Sequence, residues 1–308
     1  MITALAGGVG ASKLLKGLVK ISNEEELNII VNTGDDIELH GLYISPDLDI
    51  VMYTLAGLVD VKKGWGIKKD NFDCLEMLGK YGLETWFKLG NKDLATHIYR
   101  TCLLKSGLKL SDVTMKLCRS LGLKVNIFPM SDDRIKTMID TEEGTMHFEE
   151  YLVKRFSQDK VLDVKFEGAE KSSPAKGVID SILKSDIIIL CPSNPIVSIG
   201  PILSVPGIRD ALKNTKARVI GVSPIVDGGT IKGPADKLMR GLGLEVSPYG
   251  VAFLYRDFLD YFIIDTLDDT KKNQIESLGI KVVSTNTIMN RFMDKVRLAK
   301  EVLNFVES

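Results

Sequence analysis

Six short apolar runs punctuate the chain, at residues 3–6, 27–31, 186–190, 218–222, 261–264 and 281–284. They are rich in β-branched residues, and most end in Gly, Asn, Pro or Ser. Apolar side chains occupy consecutive positions in them, so each strand is to be covered on both faces, as in a parallel sheet. Between the runs lie stretches of helical spacing, at residues 11–20, 205–213, 235–241 and 290–306. The last sets Phe292, Val296, Leu298, Val302 and Phe305 on one stripe. This alternation predicts an α/β fold, with a Rossmann-like, mostly parallel sheet and helices on both faces. Right-handed crossovers then gather loops and ligands at the carboxyl edge of the sheet. The middle breaks the rhythm. Residues near 50–120 read as a largely helical insertion interrupted at glycines, and residues 134–148 as a β-hairpin. No repeat, low-complexity tract or Gly/Ser linker divides the sequence, so one domain across residues 1–308 is expected.

Composition narrows the function classes. Of 308 residues, 44% are hydrophobic and 26% charged, a globular rather than disordered balance. Lys and Arg number 40 against 41 Asp and Glu, leaving a net charge of −1 without the basic surplus of a nucleic-acid binder. No apolar run approaches the ~20 residues that span a bilayer. The N-terminal apolar residues lack a basic leader, so neither a membrane anchor nor a secretory signal is expected. Cys74, Cys102, Cys118 and Cys191 form no C-x-x-C pair, which suits a reduced, cytoplasmic setting. His40, His97 and His147 have no metal-ligand spacing and read as surface or packing residues, and no nucleophile elbow occurs.

The chemistry gathers where strands end. Gly7-Gly8-Val9-Gly10-Ala11-Ser12-Lys13 follows the first strand and opens the first helix. Glycines let the backbone turn tightly and approach a ligand, and free amides at the helix start favour phosphate. Gly8, Gly10 and Ser12 are therefore candidate phosphate contacts; a plain strand-to-helix turn is the alternative. The loop departs from a Walker P-loop because no hydroxyl residue follows Lys13. It departs from a dinucleotide fingerprint because Lys13 stands at the third glycine and Asn32 ends the second strand. After Asn32, Asp35 and Asp36 offer adjacent carboxylates suited to Mg²⁺, which takes one or two carboxylates plus phosphate oxygens. An Asp-rich turn bonding its own amides is the other reading. Asp47 and Asp49 precede a helical run, where either could act as an N-cap. Trp86, Phe87 and Lys88 could bind a planar ring and an anion, or form a partly buried aromatic helix end. Ser193 and Asn194 lie in a proline-stiffened loop after the 186–190 strand, and a second such loop runs through Lys232-Gly233-Pro234-Ala235-Asp236.

Taken in order, residues 5–14, 31–36, 40–49, 86–97, 192–203 and 232–236 resemble the 2-phospho-L-lactate transferase family, the CofD proteins of coenzyme F420 biosynthesis. Asn91 departs from the pattern, which more often has Asp after Leu-Gly. The resemblance implies transfer of a phospholactyl (or phosphoenolpyruvyl) group from a guanosine diphosphate-activated donor to the ribityl hydroxyl of the deazaflavin Fo. The products are F420-0 (or its dehydro form) and GMP, and Mg²⁺ is required. It implies Asp35 and Asp36 as metal ligands, and Gly8, Gly10, Ser12, Asn32, Ser193 and Asn194 around the nucleotide. Asp49, Lys88 and Trp86 would contact Fo, with Asp49 and Asp35 catalytic. A cytoplasmic homodimer is the implied assembly, with small-molecule partners only. The competing reading is a nucleotide-sugar-binding regulator of the sister group that shares the glycine turn.

Overall fold

A computed structural model describes residues 1–307. Seven parallel strands form the central sheet: β1 (Ile2–Ala6), β2 (Leu27–Val31), β3 (Asn126–Pro129), β4 (Ile187–Leu190), β5 (Arg218–Val222), β6 (Tyr261–Asp265) and β7 (Lys281–Thr285). Their order across the sheet is β7-β6-β5-β4-β1-β2-β3. All six apolar runs are strands of this sheet, and β3 is an edge strand that the pattern did not reveal. Its residues Asn-Ile-Phe-Pro make too short and mixed a run to stand out.

The consecutive apolar positions explain themselves in the packing. Leu5, Ile30, Ile188 and Phe262 point into one core, while Ala4, Ala6, Ile29 and Ile263 point into the other. Helix α1 (Gly8–Ile21), α2 (Pro46–Leu55), Leu110–Ser120 and the last helix, Phe292–Glu307, cover the second face through Leu14, Leu18, Leu48, Val113 and Leu298. Val178–Lys184, Ile199–Ser204, Ile208–Asn214 and Pro248–Tyr255 cover the first. The stripe on the last helix holds at Val296, Leu298 and Val302, whereas Phe292 is exposed at its first turn. The helix expected at 205–213 begins at Ile208, because Gly207 takes φ 90° and ends the preceding turn.

Between β2 and β3 the chain makes a small hairpin (Ile37–Leu39 with Leu42–Ile44) and then helices at Pro46–Leu55, Asp73–Lys80, Asn91–Lys105 (α3) and Leu110–Ser120. His40 and Gly41, at φ 54° and 73°, make the two-residue turn that this hairpin needs. Lys136–Thr141 pairs antiparallel with Gly144–His147 on one side and Val161–Glu167 on the other. Among the described residues no helix is long and apolar enough to cross a membrane.

The sheet order reverses direction between β1 and β4. A doubly wound sheet opens a crevice at such a point, outside the carboxyl ends of its strands.

Candidate active site

At that crevice the loop after β1 and the loop after β4 are tied together. The Gly7 amide donates to Ser193 Oγ at 3.2 Å, and the Ser193 hydroxyl donates to the Gly7 carbonyl at 2.9 Å. Gly8 takes φ 72°, a conformation that side chains disfavour. Gly10 is required for a different reason than expected. A Cβ there would lie 2.2 Å from the Pro192 carbonyl oxygen, so its bareness lets α1 approach the loop after β4. Gly7, the N-cap residue of α1, offers no side-chain cap, and the Gly8 amide donates to Asp47 instead.

Above these loops lies a cavity of about 530 Å³. Its apolar walls include Ile44, Ile50, Phe87, Phe148, Leu152 and Met289, and its polar groups segregate by charge. Asp35, Asp47 and Glu149 face it from one side, and Lys13 and Lys232 also line it.

Asn32, fully buried at the end of β2, organises the acidic side. Its Nδ2 lies 3.0 Å from Asp35 Oδ2, 2.9 Å from Asp47 Oδ2 and 3.1 Å from the Val197 carbonyl, while its Oδ1 accepts from the Gly34 amide. One amide group thus holds two carboxylates side by side. Burial, with Asp47 and Glu149 nearby, pushes the Asp35 carboxyl well above its usual range. Burial raises Asp47 to about 6 against the pull of its bonds from Asn32 and the Gly8 amide. Burial, reinforced by Asp47 and Asp36, raises Glu149 to about 8. Asp35 Oδ1 is buried without a hydrogen-bond partner. Concentrated, desolvated negative charge with an unused oxygen fits a hard cation bound by oxygen ligands. Among the described residues no three such groups stand where they could hold a metal ion together, so the pair Asp35 and Asp47 would need its other ligands from elsewhere.

Asp36 turns away from the cavity. It accepts from the Tyr43 hydroxyl at 2.8 Å and from Ser45 Oγ at 2.6 Å, and burial raises it to about 8. Its carboxylate serves the fold of the Asn32–Ser45 segment, and Asp47 takes the place beside Asp35 expected of it.

Asp49 does not cap α2, whose N-cap position is Ser45. It sits a turn further in and receives two N–H groups of Arg100 on α3, one at 3.0 Å to Oδ2 and the other to Oδ1. Arg100 is entirely buried. Burial alone would weaken its charge, but Asp49 outweighs that and holds the guanidinium protonated. His97, also buried, places Nδ1 3.6 Å from Asp49 Oδ2, and the Tyr53 hydroxyl donates to Asp93 at 2.7 Å alongside. Asp49, Tyr53, Asp93 and His97 all border the cavity. His97 is therefore a wall residue of the site rather than an outlying packing group.

The chain matches the family described as 2-phospho-L-lactate transferase CofD across residues 2–297. It is 42% identical to a 2-phospho-L-lactate transferase of Methanosarcina acetivorans, over 99% of this chain and 98% of the relative. The same identity holds with the 2-phospho-L-lactate transferase of Methanocaldococcus jannaschii, over 100% and 99%. The chain belongs to the CofD family. It is a transferase. A phosphoenolpyruvate transferase of Streptomyces griseus is 40% identical over 99% of this chain and 98% of its own length. A Bacillus halodurans protein of the upf0052 family superimposes with a TM-score of 0.65 at 18% identity, covering 98% of each chain, and shares the fold.

Of the CofD residues expected from sequence, Gly8, Gly10, Asp35, Asp49, Lys88, Ser193 and Asn194 line the one cavity. Asn32 lies just behind it as the hub described above. Ser12 is turned into α1, where its hydroxyl donates to the Val9 carbonyl at 2.9 Å. Trp86 donates through Nε1 to Glu84 and meets Phe87 edge-on at 5.6 Å, so Phe87 is the ring that faces the cavity. Asn91 accepts from the Cys74 amide and joins two helix starts. Sequence reasoning missed Glu149 and Arg100, and placed Lys13 and Lys232 in their loops without giving either a role. Glu149 follows the 134–148 hairpin with no motif of its own, and Arg100 reads as one more polar residue on a helix.

Proposed function

We propose that this chain transfers a phospholactyl or phosphoenolpyruvyl group from a guanosine diphosphate-activated donor to the ribityl hydroxyl of Fo, yielding F420-0 or its dehydro form and GMP. The observation that carries the reading is the pairing of Asp35 and Asp47 across Asn32 at the switch-point cavity, beside the glycine turn whose Gly8 amide donates to Asp47. The printed activities of the relatives support both donors, which differ by two hydrogens.

The hydroxyl attacks the phosphorus that bears the lactyl group, the bond from that phosphorus to the GMP oxygen breaks, and the hydroxyl proton is released. Asp35 and Asp47 would hold Mg²⁺, with Glu149 adding negative charge nearby and Asp36 contributing only through the fold of its segment. Mg²⁺ bound there supplies neutralisation of the charge building on the departing phosphate. The α1 amides and the Asn194 loop receive the nucleotide's phosphates. Asp49 orients the hydroxyl. Arg100 occupies one edge of its carboxylate, but a carboxylate offers about four lone-pair sites and can still accept from substrate. That pairing fixes Asp49 as an acceptor, which suits a transfer governed by positioning. Lys88 and Phe87 receive the deazaflavin ring, with Trp86 supporting Phe87. The family resemblance further supports a cytoplasmic homodimer, checked by sedimentation.

A GMP-release assay with Fo, Mg²⁺ and each donor in turn tests the proposal. Release that requires Fo supports it. Binding of donor without any Fo-dependent release would refute it.

A further inference from the structure

Four lysines gather near helix α1 and act on one another's charge. Lys13 and Lys16 lie on α1, Lys295 on the last helix and Lys232 on the loop before Ala235–Gly241. Among the described residues none of the four has a carboxylate partner. Lys13 and Lys232 line the cavity itself. The Lys232 ammonium lies against Gly64, where a Cβ would be 2.6 Å from Nζ and 3.9 Å from Val9 Cγ1. Val9 and Lys13 are one turn apart and share a face of α1, so both lysines lie toward that face of its first turns. Lys232 has one weak contact, 3.4 Å to the Lys63 carbonyl. Desolvation and the charge of Lys13 hold the Lys232 ammonium below its usual range, and Lys16 and Lys13 act likewise on Lys295 after desolvation.

Such an arrangement is costly to an empty protein. Like charges brought together and partly desolvated repel, and folding gains nothing from them. An anion seated between them replaces that repulsion by attraction. The N-terminal end of α1, whose Gly8 amide serves Asp47, adds its remaining free amides and its positive dipole nearby.

We infer that Lys13 and Lys232 clamp the diphosphate of the nucleotide donor, Lys13 from the helix and Lys232 from a loop that exchanges its carbonyl contact for the phosphate. This rests on the guanosine-nucleotide reading above and adds to it the residues that select a diphosphate. Lys16 and Lys295 raise the local potential without touching the ligand.

Calorimetric titration of the full chain with GDP and with guanosine separates the clamp from the parent reading. Lys13→Gln and Lys232→Gln are each expected to weaken GDP binding about tenfold or more, as for loss of one partner in a charged contact. Guanosine binding is expected to be unchanged, Lys232→Arg to keep most of the GDP affinity, and the salt dependence of GDP binding to flatten in both Gln variants. Undiminished GDP affinity in both Gln variants would overturn the clamp. Equal wild-type affinity for GDP and guanosine would overturn it too, while leaving the nucleotide site standing. Failure of the wild type to bind either compound would remove the nucleotide reading and the clamp with it.

Discussion

The acidic and basic ends of the cavity differ in how they are held. Asp35, Asp47 and Glu149 are nearly withdrawn from solvent, and Asn32 fixes two of them from strand β2. Lys13 is half-buried, and Lys232 stands exposed on a loop with a single weak contact. The first arrangement is preorganised: the protein carries the electrostatic cost before any ligand arrives, so little is left to reorganise during reaction. The second leaves the cations free to adjust, which suits groups that must receive a substrate and release a product. Arg100 and Asp49 extend the preorganised side into the interior, where the pair cannot be separated cheaply.

The largest expected effect comes from breaking that pair. Asp49→Asn should lower turnover on the order of 10²-fold through loss of the acceptor that orients the hydroxyl. It also strands a fully buried guanidinium, so a stability loss of about 3–5 kcal/mol is expected beside it. Arg100→Met separates the two effects: a comparable fall in melting temperature, with a fall in turnover only so far as Asp49 loses its orientation. Full activity in Asp49→Asn at a temperature where the variant is folded would remove it from the chemistry.

How far the sequence revealed these ends follows from their construction. The sheet was legible because both faces of every inner strand are covered, so Leu27–Val31 and Arg218–Val222 read as unbroken apolar runs. The turns that end in the crevice were legible too, since Gly8, Asp35 and Ser193 follow those runs directly. Arg100 was not. Its role depends on α3 packing against α2, a contact across 51 positions of sequence that no local spacing encodes. Asp36 and Trp86 were misplaced for a related reason. Sequence gives their neighbourhood but not the direction of the side chain, and Ser45, Tyr43 and Glu84 draw them away.

A second test addresses the joint beneath both ends. Gly10→Ala puts a methyl group 2.2 Å from the Pro192 carbonyl oxygen, a backbone atom that cannot swing aside. Overpacking of this kind costs about 1–3 kcal/mol, and the displaced loop carries Ser193 and Asn194. Thermal denaturation should show the loss, and nucleotide affinity should fall with it. An unchanged melting temperature would mean that the two loops are not in contact.

The acidic end also predicts a pH dependence. Glu149 and Asp36 titrate near 8 and Asp47 near 6 in the folded protein, against about 4 when unfolded. Between these values the folded state binds more protons, so ν_U − ν_N is negative and stability falls as pH rises. The contribution is fully present below about pH 4 and is lost progressively up to about pH 8. In metal-free buffer the melting temperature should therefore decline from pH 5 to pH 8 through these groups, and Glu149→Gln should flatten the decline. Added Mg²⁺ should restore more stability at pH 8 than at pH 5, because it competes with protons for the same carboxylates. An equal effect at both pH values would count against a cation at this end.

The smallest expected effect distinguishes the rings at the mouth. Phe87 faces the cavity, while Trp86 packs edge-on behind it and bonds Glu84. Removing Phe87 takes away a surface for the deazaflavin and leaves the site otherwise intact. Ring stacking of this kind is worth about 0.5–1.5 kcal/mol beyond the area buried, so Phe87→Ala should weaken Fo binding several-fold or more. Trp86→Ala removes only a support, and its effect should be smaller and appear partly as lost stability. Lys88, exposed at the same mouth, contributes through charge, so Lys88→Ala should lower Fo affinity at low salt and lose that effect as salt is raised. Fluorescence titration of Fo against the three variants at two ionic strengths resolves these contributions. Should Trp86→Ala prove the most damaging, with Phe87→Ala near wild type, the orientation of this aromatic pair toward substrate would have to be reversed.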